Sequence, residues 1–204
     1  MANYVVTVAR EYGSGGKTIA KMLSERLGIP YYDKDLLRLA SEESGINERF
    51  FHQVDEKVKG LVFRRGGAYK GKVIPPDSAD FVSDDNLFNF QAKIIRELAE
   101  KGPCVIVGRC ADYILKDAPH VLKAFVYADK ATSLQNVREL YGISEREAER
   151  LIEKTNKARK EYYRHYTGRE WESAKSYDLC LNTSRLDFAK CVDIIEAYIN
   201  ALAD

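Results

Sequence analysis

Residues 5–28 of this 204-residue chain read VVTVAREYGSGGKTIAKMLSERLG. A β-branched, apolar run comes first and predicts a strand. Three glycines within four positions follow, and Lys17 and Thr18 come directly after them at the start of an amphipathic stretch that predicts a helix. A strand, a glycine-rich turn, Lys-Thr and a helix in this order are typical of a phosphate-binding loop.

The chemistry of such a loop explains the residue types. Glycines allow positive φ, so that several backbone N–H groups can surround phosphate oxygens at the positive end of the following helix. We expect Lys17 to reach the β- and γ-phosphates of ATP and the Thr18 hydroxyl to bind Mg²⁺. The predicted nucleotide-binding set is Gly13, Ser14, Gly15, Gly16, Lys17 and Thr18. The alternative is a tight strand–helix turn that carries an exposed lysine.

Glu11 departs from the usual G-x-x-x-x-G-K-[ST] spelling, because it stands where the first glycine is expected. A carboxylate that faced a triphosphate would be repelled by it. We therefore expect the Glu11 side chain to turn outward or to bind a neighbouring cation such as Arg10.

Composition limits the class of protein. Hydrophobic residues make up 45% of the chain and charged residues 31%, which is ordinary for one soluble domain. The net charge is only +1, so we expect no nucleic-acid partner. No signal peptide or run of 18 apolar residues is visible, so we expect no membrane partner and a cytoplasmic location. The four cysteines lack C-x-x-C spacing and are interpreted as reduced, mostly buried thiols, with a disulfide or zinc site as the minor alternative.

Strand and helix patterns alternate along the chain, which predicts a doubly wound, parallel α/β domain. The predicted strands are residues 4–9, 104–108, 121–127 and 177–183. Five helices are predicted. The first covers residues 17–27, the second is capped by Asp33 and closed by Gly45, and the third is capped by Ser83 and ended by Gly102. The fourth is charged, begins with a Ser144–Glu147 capping box and reaches about Tyr166, and the last begins at Leu186.

Four further segments carry a family resemblance: YYDKDLL (31–37), CVIVGRCADYIL (104–115), KTNKARKEYYRHYTGREW (154–171) and YDLCLNTSRLD (177–187). Together with the glycine-rich loop, they make the chain resemble the cytidylate kinase-like family of P-loop proteins. The resemblance implies a P-loop NTPase fold, with a five-stranded parallel sheet flanked by helices. It also implies that residues 1–204 form one domain, with a core of 1–45, 84–141 and 171–204, a monophosphate-binding insertion at about 46–83 and a lid at about 142–170.

The resemblance assigns roles to several residues. Asp33 matches an aspartate near the acceptor and the metal, and Gly108-Arg109 matches the pair that holds the acceptor phosphate. Lys157 and Arg159 fall in the lid, where the family's cations meet the transferring phosphoryl group. The chain departs from authentic cytidylate kinases at Cys110, where they carry an aspartate, and in the lid, where lysines replace some of their arginines.

Two of these positions also have structural interpretations. Arg109 leaves the carboxyl end of a predicted buried strand, where open α/β sheets bind ligands, but it could instead pair with Asp112 or Asp129. Gln91 lies on the apolar stripe of its helix and is either a substrate-reading amide or a buried, hydrogen-bonded glutamine. Without the resemblance, the lid cations would be interpreted as a solvated charged face.

The leading hypothesis is phosphoryl transfer from Mg-ATP to a small phosphorylated acceptor, with a CMP-like nucleoside monophosphate as the first choice. The residues expected to act in transfer are Lys17, Arg109, Lys157 and Arg159, and those expected to contact the acceptor are Asp33, Gln91 and Arg109. Two rival hypotheses remain. One is a nucleotide-binding regulatory module without turnover, and the other is a kinase of a non-nucleotide small molecule.

Overall fold

The computed structural model describes residues 4–56 and 71–203, and within these ranges a parallel sheet of five strands forms the centre of the molecule. The strands are β1 (Val5–Arg10), β2 (Tyr31–Tyr32), β3 (Cys104–Val107), β4 (Val121–Tyr127) and β5 (Leu179–Asn182). Their spatial order is β2-β3-β1-β4-β5, and all four neighbouring pairs are parallel. The predicted fold class is therefore confirmed. Because β1 and β3 are adjacent, the carboxyl ends of β2, β3 and β1 lie side by side.

Helices connect the strands in the described part of the chain. They are α1 (Gly16–Leu27), α2 (Asp35–Ser44), α3 (Glu48–Glu56), α4 (Asp84–Lys101), α5 (Ala111–Ile114), α6 (Lys130–Tyr141), α7 (Glu145–Thr167) and α8 (Phe188–Ala203). The predicted caps at Ser83 and Ser144 are confirmed, and Glu147 completes the capping box of α7. The predicted cap at Asp33 is wrong: Lys34 precedes α2 and no side chain caps it. Of the predicted insertion at 46–83, residues 57–70 lie outside the described residues.

Two apolar cores lie on opposite faces of the sheet. On one face, Val6 and Val8 pack with residues of α1 and α8 such as Leu23 and Ile195. On the other face, Val5 joins residues of α2, α4 and α5. Strands covered on both faces read as continuous apolar runs, which is why β1 shows no alternation of polar and apolar residues.

The cysteines match the expectation of reduced, mostly buried thiols. All four cysteines are free thiols, and Cys104, Cys110 and Cys191 are buried whereas Cys180 is exposed. None of the helices in the described ranges is long and apolar enough to cross a membrane.

The C-terminal half of α7 packs in the second of these cores, the one that contains Val5 and residues of α2, α4 and α5. The ring of Tyr166 stacks on Phe88 of α4 at a centroid distance of 3.9 Å. The Tyr163 hydroxyl donates a 2.6 Å hydrogen bond to the buried carboxyl group of Asp112. These contacts of α7 with α4 and α5 therefore fix where the polar N-terminal part of this helix emerges.

We predict that Ser83→Ala lowers the free energy of unfolding by about 1 kcal/mol. The Ser83 hydroxyl accepts from the Asn86 backbone N–H and so satisfies one of the donors at the start of α4. Denaturant unfolding measures this loss. Ser173→Ala is the matched control, because Ser173 precedes a short 3₁₀ helix without a side-chain capping bond. Equal stabilities of the two variants would contradict the prediction.

Candidate functional site

The glycine-rich loop connects β1 to α1 at the carboxyl edge of the sheet. Gly13 and Gly15 have φ of 84° and 77°, a region that favours glycine. Packing also excludes side chains there. A Cβ at Gly13 would lie 2.7 Å from the Ser133 carbonyl oxygen of α6, and one at Gly15 would overlap the Phe188 ring of α8. The loop is thus held between α6 and α8.

Neighbouring side chains bind the outer surface of the loop. Asn136 donates to the Gly13 carbonyl at 2.7 Å, and Thr183 donates to the Ser14 carbonyl at 2.9 Å. Among residues 4–56 and 71–203, none accepts a hydrogen bond from the backbone N–H of Gly13, Ser14 or Gly15. Such a run of N–H donors at the N-terminus of α1 is suited to an anion.

The Glu11 side chain turns away from this anion site. Its carboxylate accepts a hydrogen bond from the Ala128 backbone N–H at 3.4 Å. It also lines a cavity of about 590 Å³ between the loop, α6 and α7, the Glu11 cavity. Burial raises the pKa of this carboxyl group. The expectation that Glu11 points outward is confirmed, whereas the alternative pairing with Arg10 is not what the structure shows, because Arg10 reaches Asp33 instead.

Lys17 and Asp33 join the loop to the end of β2. The Lys17 Nζ lies 2.7 Å from Asp33 Oδ2, and Arg10 Nη2 lies 4.0 Å from Asp33 Oδ1. Burial would raise the pKa of Asp33, but the hydrogen bond from Lys17 and the charges of Arg10 and Arg109 outweigh it and lower the pKa below its usual value. Asp33 is thus ionised at neutral pH. Thr18 follows in the first turn of α1 with its side chain exposed.

Arg109 approaches the same aspartate from the end of β3. Its Nε donates to the Asp33 carbonyl oxygen at 3.2 Å, and its Nη1 donates to Gln91 Oε1 at 3.4 Å. Gly108, Arg109 and Cys110 have φ of 73°, 57° and 57°. A left-handed conformation costs a non-glycine residue roughly 1–2 kcal/mol, and such strain is concentrated at functional sites.

The two alternative partners that the sequence offered for Arg109 have other contacts. Asp112 accepts from Tyr163, and Asp129 accepts from the Thr132 backbone N–H as the cap of α6. Gln91 is fully buried, and no group of residues 4–56 and 71–203 accepts a hydrogen bond from its Nε2. Its oxygen accepts a hydrogen bond from Arg109, which is the contact expected of a buried, hydrogen-bonded glutamine.

The helix α7 is attached directly to the loop. Arg159 Nη1 donates to the Arg10 carbonyl at 2.9 Å, and its guanidinium lies over the Tyr12 ring, 5.5 Å from the centroid. The Tyr12 backbone N–H donates to Asn156 Oδ1 at 2.7 Å. Lys157 lies on the other side of α7, with its side chain 77% exposed and its Nζ 3.9 Å from Glu161. The structure therefore brings Arg159 into the cluster and leaves Lys157 beside the Glu11 cavity.

A cavity of about 250 Å³ opens where these groups meet. Its charged lining residues are Arg10, Asp33, Arg109, Asp112 and Arg159, and its aromatic lining residues are Tyr162, Tyr163 and Trp171. Burial raises the pKa of Asp112, which disfavours a negative charge there. Three guanidinium groups therefore face one fully ionised carboxylate, and the aromatic rings form an apolar wall. This lining suits an anion that carries a flat or apolar group.

Sequence reasoning did not select Arg10, Tyr12 or Asn156 as site residues. The sequence did indicate a place near the site for Arg10, because this residue ends a buried parallel strand and open α/β sheets bind ligands at that edge. Asn156 lies one helical turn before Arg159, so the two share a face of α7. No local pattern indicated that this face would contact the loop.

Comparisons with known proteins agree with this geometry. The family model described as "Cytidylate kinase-like family" matches residues 5–185. A cytidylate kinase of Methanopyrus kandleri is 27% identical over 209 residues, which cover 98% of this chain and 95% of the relative.

Solved structures with the same fold include an uncharacterized protein from Eubacterium ventriosum, 31% identical, with a TM-score of 0.71 and coverage of 97% of this chain and 98% of the other. A gluconokinase from Sinorhizobium meliloti shares the fold alone, at 15% identity and a TM-score of 0.56, with coverage of 98% and 94%. A family match that runs from the first residue of β1 into the segment after β5 leads to one conclusion: the chain belongs to the cytidylate kinase-like family.

Proposed function

We propose that this protein transfers the γ-phosphoryl group of ATP to a small phosphorylated acceptor, and that the acceptor is a nucleoside monophosphate of the CMP type. The observation that carries the proposal is the contact between Lys17 and Asp33, because it joins the anion-binding loop to the arginine-lined cavity. Family membership and the curated cytidylate kinase relatives support the same reaction class.

The donor half consists of the loop. The N–H groups of Gly13 to Gly15 and the N-terminus of α1 would bind the phosphates of ATP, and Lys17 would move from Asp33 toward the β- and γ-phosphates. The outward orientation of Glu11 supports this proposal, because it removes a negative charge from the triphosphate path.

The residues beside Lys17 also fit Mg²⁺. Within the described ranges there is no group of three or more acidic, histidine or cysteine side chains that could enclose a metal ion. Mg²⁺ rarely needs such a cage, because it keeps several waters and binds substrate phosphates together with one or two protein ligands. The Thr18 hydroxyl, with the ionised Asp33 nearby, would supply those ligands. The bound ion would neutralise charge on the phosphate oxygens.

The acceptor half consists of the cavity. Arg109 would bind the acceptor phosphate, with Gln91 holding the guanidinium in place. Arg159 would face the transferring group, since the Arg10 carbonyl already fixes it at the mouth of the cavity. In this reaction the protein contributes mainly positioning and charge stabilisation, and fixed cations do both. A role of Lys157 in phosphoryl transfer stays a prediction, because Lys157 lines the Glu11 cavity and not the arginine-lined cavity.

A coupled assay of ADP release tests the function directly. We expect turnover with one or more nucleoside monophosphates and none with acceptors that lack a phosphate, such as sugar acids and polyols, because Arg109 and Arg159 in the cavity are suited to a phosphate. Lys17→Ala should lower turnover by at least about 10²-fold while the protein stays folded, since it removes the only cation of the loop itself. Turnover confined to acceptors without a phosphate, or unchanged in Lys17→Ala, would contradict the proposal. ATP binding without turnover on any acceptor would favour a regulatory module.

We predict that Arg109→Ala raises the KM for the acceptor by roughly 100-fold, because a charge-assisted contact contributes about 2–3 kcal/mol. The dissociation constant of ATP should stay near the wild-type value, because Arg109 contacts Asp33 and Gln91 and not the loop. Steady-state kinetics and ATP calorimetry together measure both quantities. Equal losses of ATP and acceptor binding would place Arg109 in the wrong half of the site.

We predict that Arg159→Ala lowers kcat by about 10²–10⁴, as other arginines that face a transferring phosphoryl group do. ATP affinity should change little, because cations that act on the transition state affect kcat rather than ground-state binding. Arg164→Ala is the matched control on the same helix, since Arg164 is exposed and lies 3.8 Å from Glu170. Equal rates for the two variants would show that Arg159 has only a structural role.

A further inference from the structure

Arg10 lies in the middle of the candidate site, but none of the roles proposed above is assigned to it. It is the last residue of β1, and its side chain crosses the end of β3 to reach Asp33 at the end of β2. It can do so because Gly108 lies beneath it, since a Cβ at that position would overlap Arg10 Nη1. The guanidinium group is therefore held between the two strand ends by packing as well as by charge.

The two cations that contact the Asp33 carboxylate differ in mobility. Lys17 approaches to 2.7 Å, but its side chain is 60% exposed and ends in a flexible four-carbon chain. Arg10 is only 18% exposed, and its Cβ packs against Gly16. Lys17 can therefore leave Asp33 without disturbing the core, whereas Arg10 cannot.

The proposed function requires that Lys17 leave. A triphosphate in the loop carries several negative charges and competes with one carboxylate for the Lys17 ammonium group. Asp33 is nearly buried, and a buried carboxylate that loses its closest cation is destabilised. Without a second cation, Asp33 would move or take up a proton when ATP binds.

The position of Asp33 affects the acceptor half as well. Its backbone carbonyl accepts the hydrogen bond from Arg109 Nε. A shift of Asp33 would therefore displace the arginine assigned to the acceptor phosphate. Small displacements matter here, because a misplacement of about 1 Å can lower a rate by roughly 10²-fold.

We propose that Arg10 is a positioning residue that holds Asp33 in place when Lys17 turns from Asp33 to the phosphates of ATP, so that donor binding leaves the acceptor half assembled. This role rests on the proposed function, which assigns Lys17 to ATP. It gives Arg10 no contact with either substrate, because it acts through Asp33.

Kinetics provide the first test. Arg10→Gln should lower kcat by about 10- to 100-fold, the range found for partners that orient a functional ligand, with little change in the KM for ATP. Arg10→Lys should recover part of the loss, because it keeps the charge. Arg26→Gln is the matched control, since Arg26 is on α1 and pairs with Asp193 at the surface.

The double variant Arg10→Gln/Asp33→Asn should be no slower than Asp33→Asn. If the two losses multiply instead, Arg10 contacts substrate directly and the proposal is overturned.

A second test needs no turnover and so separates this proposal from the proposed function. A double-mutant cycle of Arg10→Gln and Asp33→Asn, measured by denaturant unfolding, gives the coupling energy of the pair. We expect this coupling to be larger in a Lys17→Met background, which removes the competing cation, than with Lys17 present. The proposal would be overturned, even in an active kinase, if the coupling energy in the Lys17→Met background were absent or equal to the one measured with Lys17 present. Larger coupling without turnover on any acceptor would support the Arg10–Asp33 contact and reject the proposed function.

Discussion

The ion pair between Lys17 and Asp33 is the interaction on which the rest of the site depends. It connects the first turn of α1 to the end of β2. A nearly buried carboxylate stays ionised only when cations compensate for its lost hydration, and Asp33 has Lys17, Arg10 and Arg109 around it. The loop, the central strand and the arginine-lined cavity are therefore joined electrostatically at a single carboxylate.

Backbone conformation is the second constraint. Glycines at 13 and 15 allow α6 and α8 to pack directly on the loop, and Gly108 leaves room for the Arg10 guanidinium. The next two residues, Arg109 and Cys110, adopt the same left-handed conformation without being glycines. Hydrogen bonds from Arg109 to Asp33 and Gln91 offset this strain and turn the guanidinium into the cavity. Strain held by such contacts gives a rigid site that needs little rearrangement when substrate binds.

The contacts of α7 change how a lid in this protein would work. Its C-terminal half is anchored in the core through Tyr163 and Tyr166, and Asn156 and Arg159 bind the loop residues before Gly13. Closure would therefore not carry Arg159 across open solvent to the site. Its guanidinium already lines the cavity, where a fixed charge would act without the cost of reorganisation.

The sequence by itself determined the fold class, the phosphate loop, most strands and helices and the helix caps at Ser83 and Ser144, because periodicity, glycine conformations and caps depend on residues close together in the chain. Periodicity did not reveal β2, because its two residues are too few for a pattern, although the family resemblance placed Asp33 after a second strand. Tertiary structure alone decided that Asp33 pairs with Lys17 instead of capping α2, and that Arg159 faces the cavity while Lys157 does not. It also decided that Arg10 reaches across β3. The physical reason is that these contacts follow from the strand order β2-β3-β1 and from the docking of α7, and both join residues that are far apart in the sequence.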